Sequence, residues 1–196
     1  DTFESVKKSR KYKLVNEDKK IDKMIKEISK YSIISIDLET TSLEPMNAQI
    51  VGISLSVKEN EACYIPLAHK NGKNLDKKKV LKKLKPILED RSIKKIGQNI
   101  KFDFIVLFQQ GISMSSLEDT MLMSYVLDAG KNRHNMDTLS EIHLLHKPIS
   151  FKDLVGTGKK QINFSEVDIN DAKNYAAEDA DITFRLYKIF LKKLKN

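Results

Sequence analysis

The sequence predicts an α/β domain built on a mixed β-sheet flanked by α-helices. Three observations carry that prediction. β-Branched runs of strand length cluster in the first half of the chain, amphipathic helical spacing dominates the second, and one strand-like segment lies between two helices. With 196 residues, 40% apolar and 32% charged, the chain suits one ordinary domain with a sizeable core and excludes wholesale disorder.

The elements follow in order. Residues 1–13 are polar and basic and read as a loosely held lead-in. Ile21, Met24, Ile25 and Ile28 recur at helical spacing and predict a helix over 18–30. Ile33-Ile34-Ser35-Ile36-Asp37-Leu38 is β-branched, as a buried strand requires. Strands over 50–57 and 62–66 flank the polar turn Lys58-Glu59-Asn60-Glu61 and form an antiparallel hairpin. Asp76 caps a helix over 77–89, whose Val80, Leu84, Ile87 and Leu88 line one side. Six lysines between 77 and 85 form its solvated face. A strand at 93–96 precedes helices at 102–110, 118–128, 136–145 and 170–194. No repeat or Pro/Gly/Ser-rich linker divides the chain, so residues 1–196 read as one domain.

Lys+Arg is 35 against 27 for Asp+Glu, a net charge of +8 that suits a polyanionic partner. Only four of the 35 are arginine, however, and lysine excess also follows from AT-rich coding. Charge alone therefore leaves nucleic-acid binding and plain solvation equally open. The single cysteine, Cys63, excludes an internal disulfide framework and a cysteine-ligated zinc site, and fits a reduced, intracellular protein. No apolar run reaches the roughly 18 residues of a membrane helix, and no segment reads as a signal peptide, so none is expected. The chain opens Asp1-Thr2-Phe3 and ends on a lysine-rich stretch, and is read as a domain excised from a longer protein.

Three stretches carry chemistry. In Ile36-Asp37-Leu38-Glu39-Thr40 the two acids sit at i and i+2 of a strand and share a face. Two carboxylates on an apolar strand repel each other and resist desolvation, a penalty that a hard divalent cation removes. Alone, the pair is weak evidence, and a strand that emerges into solvent at Asp37 is the favoured reading. In Gly97-Gln98-Asn99-Ile100-Lys101-Phe102-Asp103, Asp103 falls in the first turn of a helix, where it also fits a partner for the helix dipole. In Tyr175-Ala-Ala-Glu-Asp179-Ala-Asp181, Tyr175 and Asp179 stack at i and i+4 beside Ala172, Ala176 and Ile182, whereas Glu178 and Asp181 point elsewhere. Ordinary exposed acid beside a core tyrosine is the alternative.

Taken together, the three stretches resemble the DEDDy 3′–5′ exonucleases, as Asp37, Glu39, Asp103, Asp179 and Tyr175. The wording is closest to the proofreading exonuclease domain of bacterial family A DNA polymerases. Gly97-Gln98-Asn99, Arg133-His134-Asn135-Met136-Asp137, Ile149-Ser150-Phe151, Gly156-Thr157-Gly158-Lys159-Lys160-Gln161 and the Tyr175–Asp181 block all match in order. The resemblance spans the chain from about residue 10 to its end.

The resemblance implies an RNase H-like fold and metal-dependent hydrolysis of the 3′-terminal phosphodiester of DNA, in cis to a polymerase domain. It implies two divalent cations, Mg²⁺ or Mn²⁺ with Zn²⁺ accommodated at one site. Asp37 would bridge both, Glu39 and Asp179 would complete the tighter site, and Asp103 would serve the second through water. Tyr175 would orient the attacking water. Leu43 and Phe151 would wedge or stack against the terminal bases, while Thr40, Gln98, Asn99, Phe102 and Arg133 would hold the terminal nucleotides. Relatives often carry Tyr where this chain has Phe102, a departure that removes a hydroxyl but no ligand. The implied partner is a single-stranded or frayed 3′ end of DNA, with no membrane. The isolated domain is expected to be a monomer, in a bacterial cytoplasm or an organelle of bacterial descent.

Two other readings stand beside this one. One is an RNA exonuclease of the ribonuclease D type; the other is a catalytically inactive structural domain, although such domains lose carboxylates that this chain keeps. Gly156-Thr157-Gly158-Lys159-Lys160 lacks the spacing of a phosphate loop, and His143 and His146 have no third ligand nearby.

Overall fold

A computed structural model describes residues 10–195, and positions 1–9 of the lead-in lie outside the described residues. Among the described residues, six strands form one sheet in the order β1-β4-β3-β2-β5-β6. They are β1 (Lys11–Leu14), β2 (Ile33–Thr40), β3 (Ile50–Lys58), β4 (Glu61–Pro66), β5 (Lys94–Gly97) and β6 (Leu117–Asp119). The β2-β3-β4 centre is antiparallel, whereas β1 joins β4, and β5 and β6 join beyond β2, in parallel. The sheet is therefore mixed, as the sequence predicts.

Alternation along β2 decides the layers. Ile34, Ile36 and Leu38 face α1 (Asp18–Ile28), α2 (Lys77–Glu89) and α3 (Ile100–Gln109), and this larger core includes Ile21, Leu84 and Leu107. Ser35, Asp37 and Glu39 face the opposite layer. There Ser35 donates its hydroxyl proton to the Ala180 carbonyl of the 26-residue helix α7 (Ile169–Leu194) at 2.8 Å. The C-terminal half of α7 packs Ile182, Leu186, Tyr187 and Phe190 with α4 (Thr120–Asp128) and α5 (Met136–Leu144). A short helix, α6 (Phe151–Val155), lies beside its N-terminal half.

Several boundaries differ from the sequence reading. Residues 11–14 are a strand, because β4 offers a parallel edge and acids on α7 hold Arg10 and Tyr12. The segment read as helix over 118–128 begins as the edge strand β6, and its helix starts at Thr120 behind the Asp119 cap. Helix α3 begins at Ile100, two residues early, because Asp119 accepts hydrogen bonds from the backbone N–H groups of Asn99 (2.9 Å) and Ile100 (3.1 Å). Among the described residues, no helix is long and apolar enough to cross a membrane.

Candidate active site

The site forms where β2 runs past the end of its partner β5. Pairing with β5 covers only Ile33–Ser35, so beyond it the β5-side edge of β2 is free to meet other elements. Asp37 and Glu39 lie on the face toward α7, and the first half of that helix brings Asp179 down onto them. One carboxylate oxygen from each of Asp37, Glu39 and Asp179 falls within 4.8 Å of the others. Glu39 and Asp179 are 7% and 9% exposed, and Asp37 is partly buried.

Asp103 is buried in the first turn of α3 and lies outside that three-residue group. Its Oδ1 accepts the Leu38 backbone N–H at 3.0 Å, which fastens α3 to the strand between the two acids. The alternative of a simple dipole partner therefore misses its main contact.

The electrostatics of the cluster are strained in one direction. Burial pushes the Asp37 carboxyl up to about 7. Burial, then the charges of Asp37, Asp179 and Asp103, holds Glu39 well above the usual carboxylate range. Asp179 is raised by burial and by Asp37, opposed in part by the Tyr175 hydroxyl. Asp103 is raised by burial and by Asp37, opposed by the Leu38 N–H. Burial is the largest cause of all four shifts, and neighbouring carboxylate charge adds to it at Glu39, Asp103 and Asp179. Tyr175, half-buried one turn before Asp179, is held firmly protonated by burial and by that same charge.

An aromatic row backs this pocket. The Phe164 ring lies 6.1 Å from Tyr175, 6.4 Å and parallel to Phe151, and 5.9 Å from His69. His69 contacts the Val167 carbonyl through Nδ1 at 3.1 Å; a carbonyl only accepts, so Nδ1 carries the proton. Nε2 must then accept from the Tyr64 hydroxyl at 2.7 Å. Tyr64 is fully buried and lies over Gly52, the residue paired with Glu39, where any Cβ would meet its hydroxyl at 2.1 Å. The sequence reading missed Gly52, Tyr64, His69 and Phe164; the short Ala-Cys-Tyr-Ile-Pro strand gave no sign of a polar partner five residues on.

The remaining named residues lie outside the three-carboxylate group. Thr40 ends β2 and donates its hydroxyl proton to the Ser42 carbonyl at 2.9 Å. Leu43, in the loop that follows, is 94% exposed. Gln98 donates to the His134 carbonyl at 2.8 Å, tying the loop that carries the exposed Arg133 to the start of α3. Asn99 takes the left-handed conformation before α3 and leaves its side chain exposed. Phe102 packs against the larger core, and Phe151 is 40% exposed beside Tyr175. Glu178 and Asp181 point away from the carboxylates, as their helix positions predict, and both are buried and hydrogen-bonded. Asp181 accepts from the Tyr12 hydroxyl at 2.8 Å and from the Asn60 N–H at 2.6 Å. His146 lies 2.9 Å from Glu178, and His143 meets Phe190 edge-on, so the two histidines serve separate contacts.

Comparison with known proteins agrees with this geometry. A family model described as 3′-5′ exonuclease, of the family A DNA polymerase type, matches residues 12–195. DNA polymerase I of Rhizobium leguminosarum is 42% identical over 194 residues, covering 89% of this chain and 19% of the relative. DNA polymerase I of Pseudomonas aeruginosa is 43% identical over 190 residues, covering 94% of this chain and 21% of the relative. The chain thus spans about a fifth of the length of these relatives. Among solved structures, Brucella melitensis NrnC superposes with a TM-score of 0.70 at 21% identity, covering 96% of this chain and 83% of that one. Escherichia coli RNase D does so at 0.69 and 16%, covering 94% and 45%. These neighbours establish the RNase H-like fold. The chain belongs to the 3′–5′ exonuclease family of the family A DNA polymerases.

Proposed function

We propose that this 3′–5′ exonuclease removes nucleotides from the single-stranded or frayed 3′ end of DNA, editing for a polymerase domain in cis. The observation that carries the reading is the convergence of Asp37, Glu39 and Asp179 within 4.8 Å, beside Tyr175. The donor set is all oxygen, largely buried and mutually repelling, which suits hard divalent cations.

Asp37 would be shared by two cations, Mg²⁺ or Mn²⁺ with Zn²⁺ accommodated at one site. Glu39 and Asp179 would complete one shell and Asp103 would serve the other. When bound, such ions supply an activated water and stabilise charge on the departing 3′ oxygen. The residues of the chain do the rest. The Tyr175 hydroxyl, kept protonated, orients the water through a hydrogen bond and does not act as a base. Leu43 and Phe151 wedge and stack on the terminal bases, and stacking tolerates any base because each presents a π-face. Arg133 holds phosphate, and Gln98, Asn99, Thr40 and Phe102 complete the contacts to the terminal nucleotides.

A ribonuclease D-type activity is the second reading, favoured by the fold likeness to Escherichia coli RNase D. Identity of 42–43% to DNA polymerase I favours DNA. Digestion of matched, 5′-labelled DNA and RNA oligonucleotides in Mg²⁺ separates the two. A shortening ladder from DNA with nucleoside 5′-monophosphate as product is expected. RNA preference would transfer the assignment to the second reading, and inertness toward both in Mg²⁺ and Mn²⁺ would mark the domain as structural.

A further inference from the structure

We propose that Glu178 is a positioning residue that fastens the base-stacking element to the helix carrying Asp179, an inference that rests on the roles given above to Phe151 and Asp179. Glu178 immediately precedes Asp179 on α7 and is 3% exposed. Successive helix positions diverge by about 100°, so one rigid turn aims Asp179 at the carboxylates and Glu178 at a neighbouring segment. Both oxygens of Glu178 are engaged there. Oε1 accepts from Arg10 at 2.6 Å and lies 2.9 Å from His146 Nε2. Oε2 accepts the backbone N–H of Ile149 at 2.7 Å.

Ile149 stands two residues before Phe151, the first residue of α6. That helix has only five residues, and its N-cap Ser150 makes no side-chain capping bond. The segment between α5 and α6 therefore needs outside support. Phe151 packs against Phe164 and Tyr175, but ring contacts at 5.8–6.4 Å fix no direction. The Ile149 N–H bond does. With it intact, the Phe151 ring keeps a set distance from Asp179, so a stacked terminal base presents its phosphate at the carboxylates. Displacing that ring loosens the hold on the terminal base, so the loss falls on KM. A stabilising clamp alone would call for any buried ion pair; this one reaches a backbone donor beside the stacking ring.

Two variants separate reach from charge. Glu178→Asp keeps the charge and withdraws the carboxylate by one methylene, whereas Glu178→Gln, made with Arg10→Ala so that its amide NH2 faces no cation, gives up the charge and keeps its one acceptor for Ile149. On single-stranded DNA in Mg²⁺, Glu178→Asp is expected to raise KM about tenfold with kcat within about threefold, and Glu178→Gln to stay within about threefold on both. Adding Phe151→Ala to Glu178→Asp should weaken binding no further than Phe151→Ala alone. Amide hydrogen exchange over residues 147–155 should accelerate in the Asp variant and not in the Gln variant. That exchange readout needs no activity, so a wild-type protein inert on DNA would overturn the functional reading while exchange still decides the positioning claim. Wild-type KM and exchange in Glu178→Asp, equal damage in both variants, or additive effects with Phe151→Ala would each overturn it.

Discussion

Asp103 Oδ1 accepts the backbone N–H of Leu38 at 3.0 Å, so α3 is hydrogen-bonded to β2 between its two acidic residues. One oxygen of Asp103 is thereby committed to architecture, and the proposed function assigns the other to the second cation. Asp103→Asn keeps an acceptor for Leu38 and removes a carboxyl that burial raises, so it should melt no lower than the wild type, while exonuclease rate falls on the order of 10²-fold. Asp103→Ala should lose the rate and also about 1–3 kcal/mol, because Leu38 N–H is left buried and unpaired. Thermal melting run alongside initial rates distinguishes the two; a rate preserved in Asp103→Asn would remove Asp103 from the chemistry.

The raised carboxyls set a pH dependence with a definite sign. A carboxyl with an elevated pKa in the fold keeps its proton where the unfolded chain has already lost it. The penalty is absent below about pH 4, grows as pH rises, and for Asp37 is complete above about 7. In chelator, Asp37→Asn should therefore melt several degrees above the wild type at pH 8, with the gap closing toward pH 4. Mg²⁺ should raise the wild-type melting point at pH 8 and leave Asp37→Asn nearly unmoved. A wild type that is unresponsive to Mg²⁺ would contradict the cation assignment.

Tyr175→Phe keeps the ring packed between Phe151 and Phe164 and removes only the hydroxyl. The expected result is an unchanged melting point with kcat lowered roughly 10–10²-fold and KM little altered. A rise in KM alone would recast Tyr175 as a binding residue.

Gly52→Ala tests the packing behind Glu39. Its Cβ would meet Tyr64 Oη at 2.1 Å, so the ring must move and its bond to His69 break. Overpacking of this kind costs about 1–3 kcal/mol, or roughly 2–12 °C for a chain this size. The change is read by differential scanning calorimetry, and an unshifted melting point would show that the Tyr64 ring has room to yield.

Leu43→Ala removes a side chain 94% exposed. Stability should change by less than about 0.5 kcal/mol, while KM for single-stranded DNA should rise several-fold. Unaltered KM would leave Leu43 without a role.

The site was legible where local period alone defines a face. Alternation placed Asp37 and Glu39 together, and the i, i+4 spacing placed Tyr175 above Asp179. What escaped were features whose cause lies far along the chain. Glu178 looks like an ordinary helix acid until Arg10, 168 residues away, and Ile149, 29 away, are brought beside it. Strand β1 reads Lys-Tyr-Lys-Leu, and its lysines suggest solvent, yet its pairing is set by β4 some fifty residues later. Elements as short as β6 and α6 carry too few residues for any period to emerge. Asp119, which starts α3, acts through backbone groups that side-chain patterns do not reveal.

The most direct test is a crystal of the protein soaked in Mn²⁺ with a short single-stranded DNA. Anomalous scattering should place manganese among Asp37, Glu39 and Asp179, with the oligonucleotide's 3′-terminal phosphate against it and its last base on Phe151. Manganese bound elsewhere, or the DNA entering by its 5′ end, would contradict the account.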